Sequence, residues 1–106
     1  MSKRLLTDFE IMILLAIMRV GNDAYGVTVA REIEQTAGRT VQLPAIYVAL
    51  DRLEKQGLVR SWLGEATPQR GGRAKKHFQL TKAGVGSVQE TRDALTALWA
   101  EVPELS

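Results

Sequence analysis

The sequence predicts a mostly α-helical protein with one small β-hairpin, an α+β fold built from a single chain of 106 residues. Two observations carry this prediction. Apolar residues recur at helical spacing in four segments, whereas the chain between the third and the fourth segment shows the period-two alternation of strands. A chain of this length holds one modest core, so we expect a single compact unit.

The composition narrows the classes of function. Hydrophobic residues make up 45% of the chain and charged residues 25%, as in ordinary soluble proteins. No apolar run approaches the roughly 18 residues of a membrane span, and no secretory pattern opens the sequence. With no cysteine and one histidine, the chain offers no metal-ligating or nucleophilic set. We therefore expect a cytosolic protein that is not an enzyme and has no cofactor or metal.

The first predicted helix is apolar almost all round. Thr7 or Asp8 can accept hydrogen bonds from its free N–H groups, and the helix extends to about Val20. Gly21-Asn22-Asp23 then ends it. A helix without a polar face lies either at the centre of a core or between two subunits. This segment alone leaves both interpretations open.

The next two helices are short and close together in the chain. One is predicted from about Val27 to Ala37, with Gly38 as its stop. The other has Pro44 in its first turn and ends at Gly57, which suits the left-handed conformation that follows many helices. Its inner face comprises Ile46, Ala49, Leu50 and Leu53. Such a pair predicts a helix-turn-helix whose second helix keeps one face for a partner.

The remaining faces of the third helix predict contact with DNA. Tyr47 can donate its hydroxyl to a phosphate while its ring packs on the preceding helix, and Ala45 and Val48 can touch thymine methyl groups. Arg52 can reach a phosphate or a base edge, or it can pair with a nearby carboxylate. Lys55 is either a distal phosphate contact or a solvated lysine. We interpret this helix as the recognition helix.

A β-hairpin follows the recognition helix. One strand is predicted over residues 58–64 and its partner over 74–80, with Phe78 directed to the core. We interpret Trp62 as a core residue rather than a platform for a nucleic-acid base. The connecting loop, residues 65–73, contains paired glycines and other turn-forming residues. A hairpin of this kind directly after a recognition helix is a wing, so the predicted fold is a winged helix-turn-helix.

The wing carries a local excess of positive charge. The net charge of the chain is only +2, but residues 66–89 include lysines and arginines and no aspartate or glutamate. Arg70 and Arg73 are predicted to contact phosphates or enter a minor groove, where arginine is favoured. Lys75 and Lys76 would add affinity through phosphate contacts. For an isolated basic stretch, a solvated loop is the alternative interpretation.

The last helix predicts self-association. Thr81 can cap a helix from about Lys82 to Glu101, which Pro103 ends. Apolar residues recur along it at seven-residue spacing, and a second copy of the chain would cover such a stripe. The predicted dimer interface comprises Val88, Leu95, Leu98, Trp99 and Val102. The alternative is that the stripe packs on the chain's own first helix.

These residues resemble the PadR family of bacterial transcriptional regulators. The features that carry the resemblance are Tyr25-Gly26, the run Ile46–Val59, the glycine- and arginine-containing wing, and the run Phe78–Gly84. It extends from about Phe9 to Trp99, nearly the whole chain. The resemblance implies a winged helix-turn-helix, residues 1–80, and a C-terminal dimerisation helix, residues 81–106. It also implies dimerisation through the first and last helices and, usually, repression of transcription in the bacterial cytoplasm at the nucleoid.

The leading hypothesis is therefore a homodimeric repressor that binds double-stranded DNA at an imperfect palindrome. The predicted DNA-contacting residues are Tyr25, Ala45, Tyr47, Val48, Arg52, Lys55, Arg70, Arg73, Lys75 and Lys76. Near a dimer axis, Trp99 would line an apolar slot for a flat aromatic effector, or it would only pack. A second hypothesis is a winged-helix module that binds proteins and has no specific DNA binding, although such a module has no need for a basic wing.

Overall fold

The computed structural model describes residues 5–64 and 74–105. Its elements are α1 (Asp8–Val20), α2 (Gly26–Ala37), α3 (Leu43–Lys55), β1 (Val59–Leu63), β2 (Lys76–Leu80) and α4 (Lys82–Trp99). Short 3₁₀ turns lie at Gly21–Asp23 and Pro103–Leu105. The predicted α+β fold, helical with one hairpin, is confirmed. In the part of the chain that the structure describes, no helix is long and apolar enough to cross a membrane.

Local hydrogen bonds explain where the first three helices begin and end. Of the two candidate caps, Thr7 caps α1: its Oγ1 accepts from the Glu10 N–H at 3.1 Å, and a Glu10 carboxylate oxygen accepts from the Thr7 N–H at 2.8 Å. Gly38 ends α2 in the left-handed region, with φ 69°. Gly57 does the same after α3, with φ 78°, which lets the N–H of Leu58 bond the carbonyl of Leu53 at 3.0 Å.

The core forms around α1, which contacts α2, α3, β2 and α4. Its largest fully buried side chains are Ile13, Leu14, Val29, Ile46, Leu50 and Leu53. The hairpin adds Val59 and Phe78. At one edge of the α1–α2 packing, Arg19 Nε lies 2.7 Å from a carboxylate oxygen of Glu32. The Thr36 hydroxyl, which bonds the same carboxylate, and then Arg19 lower the pKa of Glu32.

The hairpin is antiparallel, and Val59 lies opposite Leu80. Trp62 lies opposite His77, so both side chains are on the same face of the sheet. That face points away from the core: Trp62 is 39% exposed, and its ring stacks on the His77 ring at a centroid distance of 5.8 Å. The prediction that Trp62 is a core residue is therefore wrong, because Val59 and Phe78 on the opposite face fill the core.

A third short stretch extends this sheet. Tyr25 bridges to His77, and the N–H of Phe78 donates to the carbonyl of Ala24 at 2.9 Å. The Tyr25 ring meets the His77 ring edge-on at 5.3 Å. Residues just before α2 therefore hold the middle of β2 from the side opposite β1.

Hydrogen bonds connect the start of α4 to the residues that follow α3. The Thr81 side-chain oxygen accepts from the N–H of Gly84 at 3.0 Å and its hydroxyl donates to the carbonyl of Gly57 at 2.6 Å. The N–H of Thr81 also donates to the carbonyl of Leu58 at 3.0 Å. Gly84 is required by close packing, since a Cβ there would lie 2.0 Å from the Leu58 carbonyl oxygen.

Within the described residues, the buried residues of α4 lie between Gly84 and Thr91. Val88 and Thr91 are buried, and Thr91 Oγ1 accepts from the N–H of Leu6 at 3.2 Å. Val88 thus belongs to the protomer's own core and has little surface left for a dimer interface. The helix ends at Trp99, not at the predicted Glu101, which has φ 63°. Val102 therefore lies beyond the helix, and the helical spacing that placed it on the interface stripe does not extend to it.

Candidate nucleic-acid interface

The outer surface of α3 consists of a central ridge and two flanks. At roughly 100° per residue, the buried face of Ile46, Ala49, Leu50 and Leu53 leaves a ridge on the opposite side that contains Val48, Asp51 and Lys55. Val48 is 58% exposed. The Lys55 ammonium lies 3.2 Å from the Asp51 carboxylate. Tyr47 and Arg52 are on opposite flanks, roughly 140° apart around the helix axis.

The Tyr47 flank lies against the start of α2. A Cβ placed on Gly26 would be 2.4 Å from Cε1 of the Tyr47 ring and 2.7 Å from its hydroxyl oxygen. The ring therefore occupies the space that any side chain at Gly26 would fill. Tyr47 nevertheless remains 49% exposed. The ring therefore packs on the preceding helix, as expected, and the contact of its hydroxyl with a phosphate stays a prediction.

The Arg52 flank lies near the start of α1. A shallow cavity of about 210 Å³ is lined by Arg52, Ala49 and Gln56 and, from the start of α1, by Thr7, Phe9 and Glu10. Arg52 is exposed and forms no ion pair within residues 5–64 and 74–105. The alternative in which Arg52 pairs with a nearby carboxylate is therefore not realised, because Asp51, Glu54 and Glu32 pair with other side chains.

Glu54 connects α3 with both strands of the hairpin. One of its carboxylate oxygens accepts from the Ser61 hydroxyl at 2.6 Å, and the other lies 3.5 Å from the Lys76 ammonium. These contacts fix the direction in which the hairpin leaves α3. The spacing of Glu54 along α3 does not indicate that a strand lies beside it, so the sequence alone does not predict this role of Glu54.

Tyr25 takes a different place from the predicted one. It is only 8% exposed, and its ring lies between His77 and the Lys75 ammonium, which is 5.2 Å from the ring centroid. A side chain this buried supports the hairpin and does not present a surface to DNA. The interpretation of Tyr25 as a DNA contact is therefore corrected to a role in positioning the wing.

Several cations lie along the hairpin. Lys75 and Lys76 stand at the start of β2, and the predicted contacts Arg70 and Arg73 lie outside the described residues. The structure adds Arg60, which sequence reasoning did not select. Its guanidinium carbon lies 5.5 Å from the Trp62 ring centroid, and the side chain bonds the amide of Gln79.

The second half of α4 borders an apolar groove on α1. The groove has a volume of about 360 Å³. Its lining includes Leu15, Met18, Leu95 and Trp99. Leu95, Leu98 and Trp99 are 47%, 73% and 67% exposed. An apolar surface of this kind at the end of a helix is typical of an interaction site.

Fold and surface together define a winged helix-turn-helix regulator that binds DNA. The transcriptional regulator PadR-like family matches residues 14–90, most of the chain. The chain belongs to this family, which confirms the resemblance seen in its motifs. It is accordingly a transcription regulator and not an enzyme.

Solved structures agree with this assignment. A PadR family transcription regulator from Clostridium difficile is 21% identical, with a TM-score of 0.69 over 87% of this chain and 91% of that chain. A PadR-like transcriptional regulator from Bacillus cereus is 22% identical, with a TM-score of 0.69 over 85% and 82%. The complex structure of hsRosR-SG is 26% identical, with a TM-score of 0.70 over 95% and 82%. Among curated proteins, no sequence matches this chain.

Proposed function

We propose that the protein is a homodimeric repressor that binds an imperfect operator palindrome with α3 in the major groove. The observation that carries the proposal is the outer surface of α3. One uncovered ridge lies between Tyr47 and Arg52, and the hairpin is held beside it by Glu54. Residues 1–80 would bind the operator in the cytoplasm, at the nucleoid, and residues 81–106 would join the two copies.

The two flanks of α3 suit the two walls of a major groove. A helix in that groove has a phosphate backbone on either side and base edges in front of its ridge. The Tyr47 hydroxyl would then bond a phosphate of one strand and Arg52 a phosphate of the other. Ala45 and Val48 would touch thymine methyl groups, whereas Asp51 on the ridge can accept from a cytosine amino group.

The wing would add contacts outside the major groove. Lys76 contacts Glu54 of the recognition helix, Lys75 precedes it at the start of β2, and Lys55 extends the basic surface at the end of α3. Arg70 and Arg73 would follow the backbone or enter the minor groove. Phosphate contacts of this kind raise the affinity for all sequences and make binding dependent on salt.

The uncovered half of α4 supports a homodimer. Leu95, Leu98 and Trp99 would pack on the same residues and on α1 of a second copy. Two-fold symmetry would then present two copies of α3 to successive major grooves, about 34–36 Å apart, so the operator should be palindromic. The groove beside Trp99 would accept a flat aromatic effector whose binding changes the subunit geometry and releases the operator.

The first experiment selects operators from a library of random-sequence duplexes and repeats binding over a salt series. We expect an enriched inverted repeat and a steep decrease of affinity with salt. Arg52→Gln should weaken binding and reduce the salt slope of the dimer by about two, one for each copy of Arg52. Arg19→Gln is the matched control, because Arg19 lies at the other end of α1 and pairs with Glu32. Binding without an enriched repeat would contradict base reading by α3.

The effector proposal has its own measurement. A planar aromatic dye such as proflavine should quench tryptophan emission of the protein and lower its affinity for the operator. Trp99→Leu should abolish both effects, whereas Trp62→Leu should leave them in place because Trp62 is in the hairpin. If Trp62→Leu abolishes the quenching and Trp99→Leu does not, the groove of α4 is not the site.

A further inference from the structure

We infer that Gly26 is a positioning residue for DNA binding. The bare Cα of Gly26 is the surface on which the Tyr47 ring rests, and this contact holds the Tyr47 hydroxyl at its flank of α3. The inference deepens the proposed function and rests on it, because it requires that Tyr47 contacts DNA.

The contact between the two residues is close and specific. A Cβ at Gly26 would meet three atoms of Tyr47, namely Cε1 at 2.4 Å, Cζ at 2.6 Å and the hydroxyl oxygen at 2.7 Å. All three belong to the outer end of the ring, the part that carries the polar group. No side chain larger than hydrogen is compatible with this position of the hydroxyl.

Backbone conformation does not account for the glycine. Gly21, Gly38 and Gly57 have positive φ, and Gly26 is absent from this group. Gly26 is the first residue of α2, where alanine is compatible with the backbone and has the higher helix propensity. The reason for glycine at this position is therefore the neighbouring ring rather than the turn that precedes the helix.

A methyl group at Gly26 should change binding while the fold is retained. The atoms in its way form the free end of a half-exposed side chain, which can rotate toward solvent. Gly84 shows the opposite case, because there the obstacle is a backbone carbonyl that cannot rotate away. In Gly26→Ala the hydroxyl would leave the flank of α3, and the phosphate contact would be lost.

The experiment is a double-mutant cycle on the selected operator. Gly26→Ala and Tyr47→Ala should each lower the affinity of the dimer about a hundredfold, or about tenfold for each of the two hydrogen bonds to a charged group that are lost. The double variant should bind no more weakly than Tyr47→Ala alone. Gly86→Ala is the matched control, because its added Cβ meets no atom within 4 Å. It should bind like the wild type.

A second measurement does not involve DNA. In the wild type, proton NMR should show nuclear Overhauser contacts between the Gly26 α-protons and the Tyr47 ring. Tyr47→Phe should keep these contacts and still lose the affinity that Tyr47→Ala loses, because it keeps the ring and removes the hydroxyl. This variant tests the inference even if Gly26→Ala fails to fold, which its thermal melting would reveal.

The outcomes separate the inference from the proposed function. If folded Gly26→Ala binds like the wild type, or if its loss adds to that of Tyr47→Ala, the inference is overturned and DNA binding by the protein stands. Full affinity of Tyr47→Phe overturns it in the same way. If the wild type binds no duplex at low salt, the proposed function fails, and the inference fails with it.

Discussion

The two halves of α4 have the same helical conformation and opposite surroundings. Gly84 and Val88 in the first half and Thr91 just after it are buried against the protomer, whereas Leu95, Leu98 and Trp99 toward the other end are exposed. The apolar pattern of the sequence continues across both halves without a break. One half therefore completes the core and the other remains exposed, so a regular stripe along a helix does not have to pack on one surface.

The largest effect is expected in the first half, for Gly84→Ala. The added Cβ would lie 2.0 Å from the Leu58 carbonyl oxygen, so the backbone of α4 or of the α3–β1 turn must move. Overpacking against backbone costs about 3 kcal/mol of unfolding free energy. Urea denaturation measures it, with Gly86→Ala as the control in open space. Equal midpoints for both variants would contradict the close approach.

A smaller effect, on assembly rather than folding, is expected in the second half for Leu98→Glu. We expect the free energy of dimerisation to weaken by about 2 kcal/mol, a typical value for an anchoring apolar side chain. Analytical ultracentrifugation measures this change. The control is Leu63→Glu, because Leu63 on the hairpin is 71% exposed and Leu98 is 73% exposed. If Leu98→Glu and Leu63→Glu weaken dimerisation equally, the exposed half of α4 is not the dimer interface.

The capping hydroxyl of Thr81 should contribute less. Thr81→Val removes the bond from the Gly84 N–H and the bond to the Gly57 carbonyl, at a cost of about 1 kcal/mol. Thr96→Val makes the same chemical change in the exposed half and should leave the stability unchanged. Both are compared by urea denaturation in the Leu98→Glu background, so that dimer stability does not enter. If Thr96→Val lowers the free energy of unfolding more than Thr81→Val does, the capping role of Thr81 is contradicted.

The smallest effect on stability is expected outside α4, at Glu32, and it serves as a reference for the effects in both halves of that helix. Thr36 and Arg19 lower the pKa of Glu32 below its ordinary value of 4.5. The ionised Glu32 carboxylate therefore stabilises the fold fully at pH values above its ordinary pKa, and this stabilisation is lost as the pH falls through the lowered pKa. Unfolding midpoints of the wild type should decrease slightly more than those of Glu32→Gln between pH 7 and pH 3.5. Parallel decreases would show that the pair contributes nothing.

The start of α1 and the ends of α2 and α3 were predictable from the sequence because they depend on local chemistry. Thr7, Gly38 and Gly57 act on residues only a few positions away, and each is where the sequence indicates. The recognition helix was predictable for the same reason, since a short amphipathic helix between clear stops presents one face. The family resemblance used these same short runs.

The errors arose where distant segments meet. The exposures of Trp62 and Tyr25 are the reverse of the predicted ones. The tryptophan is partly exposed and the tyrosine is buried. Strand alternation identifies two faces but does not indicate which face packs on the core. The contact of Glu54 with Ser61 and the division of α4 likewise depend on the position of a neighbouring element. No pattern within a single segment contains that information.

The junction at Thr81 has one further consequence. The two ends of the hairpin, Leu58 and Thr81, are adjacent, because the N–H of Thr81 donates a hydrogen bond to the Leu58 carbonyl. The angle between α3 and α4 is thus set at the base of the hairpin and is independent of the length of the loop above it. Residues can be added to or removed from that loop during evolution to tune the reach of the wing. The geometry of the recognition helices in an assembly would not change.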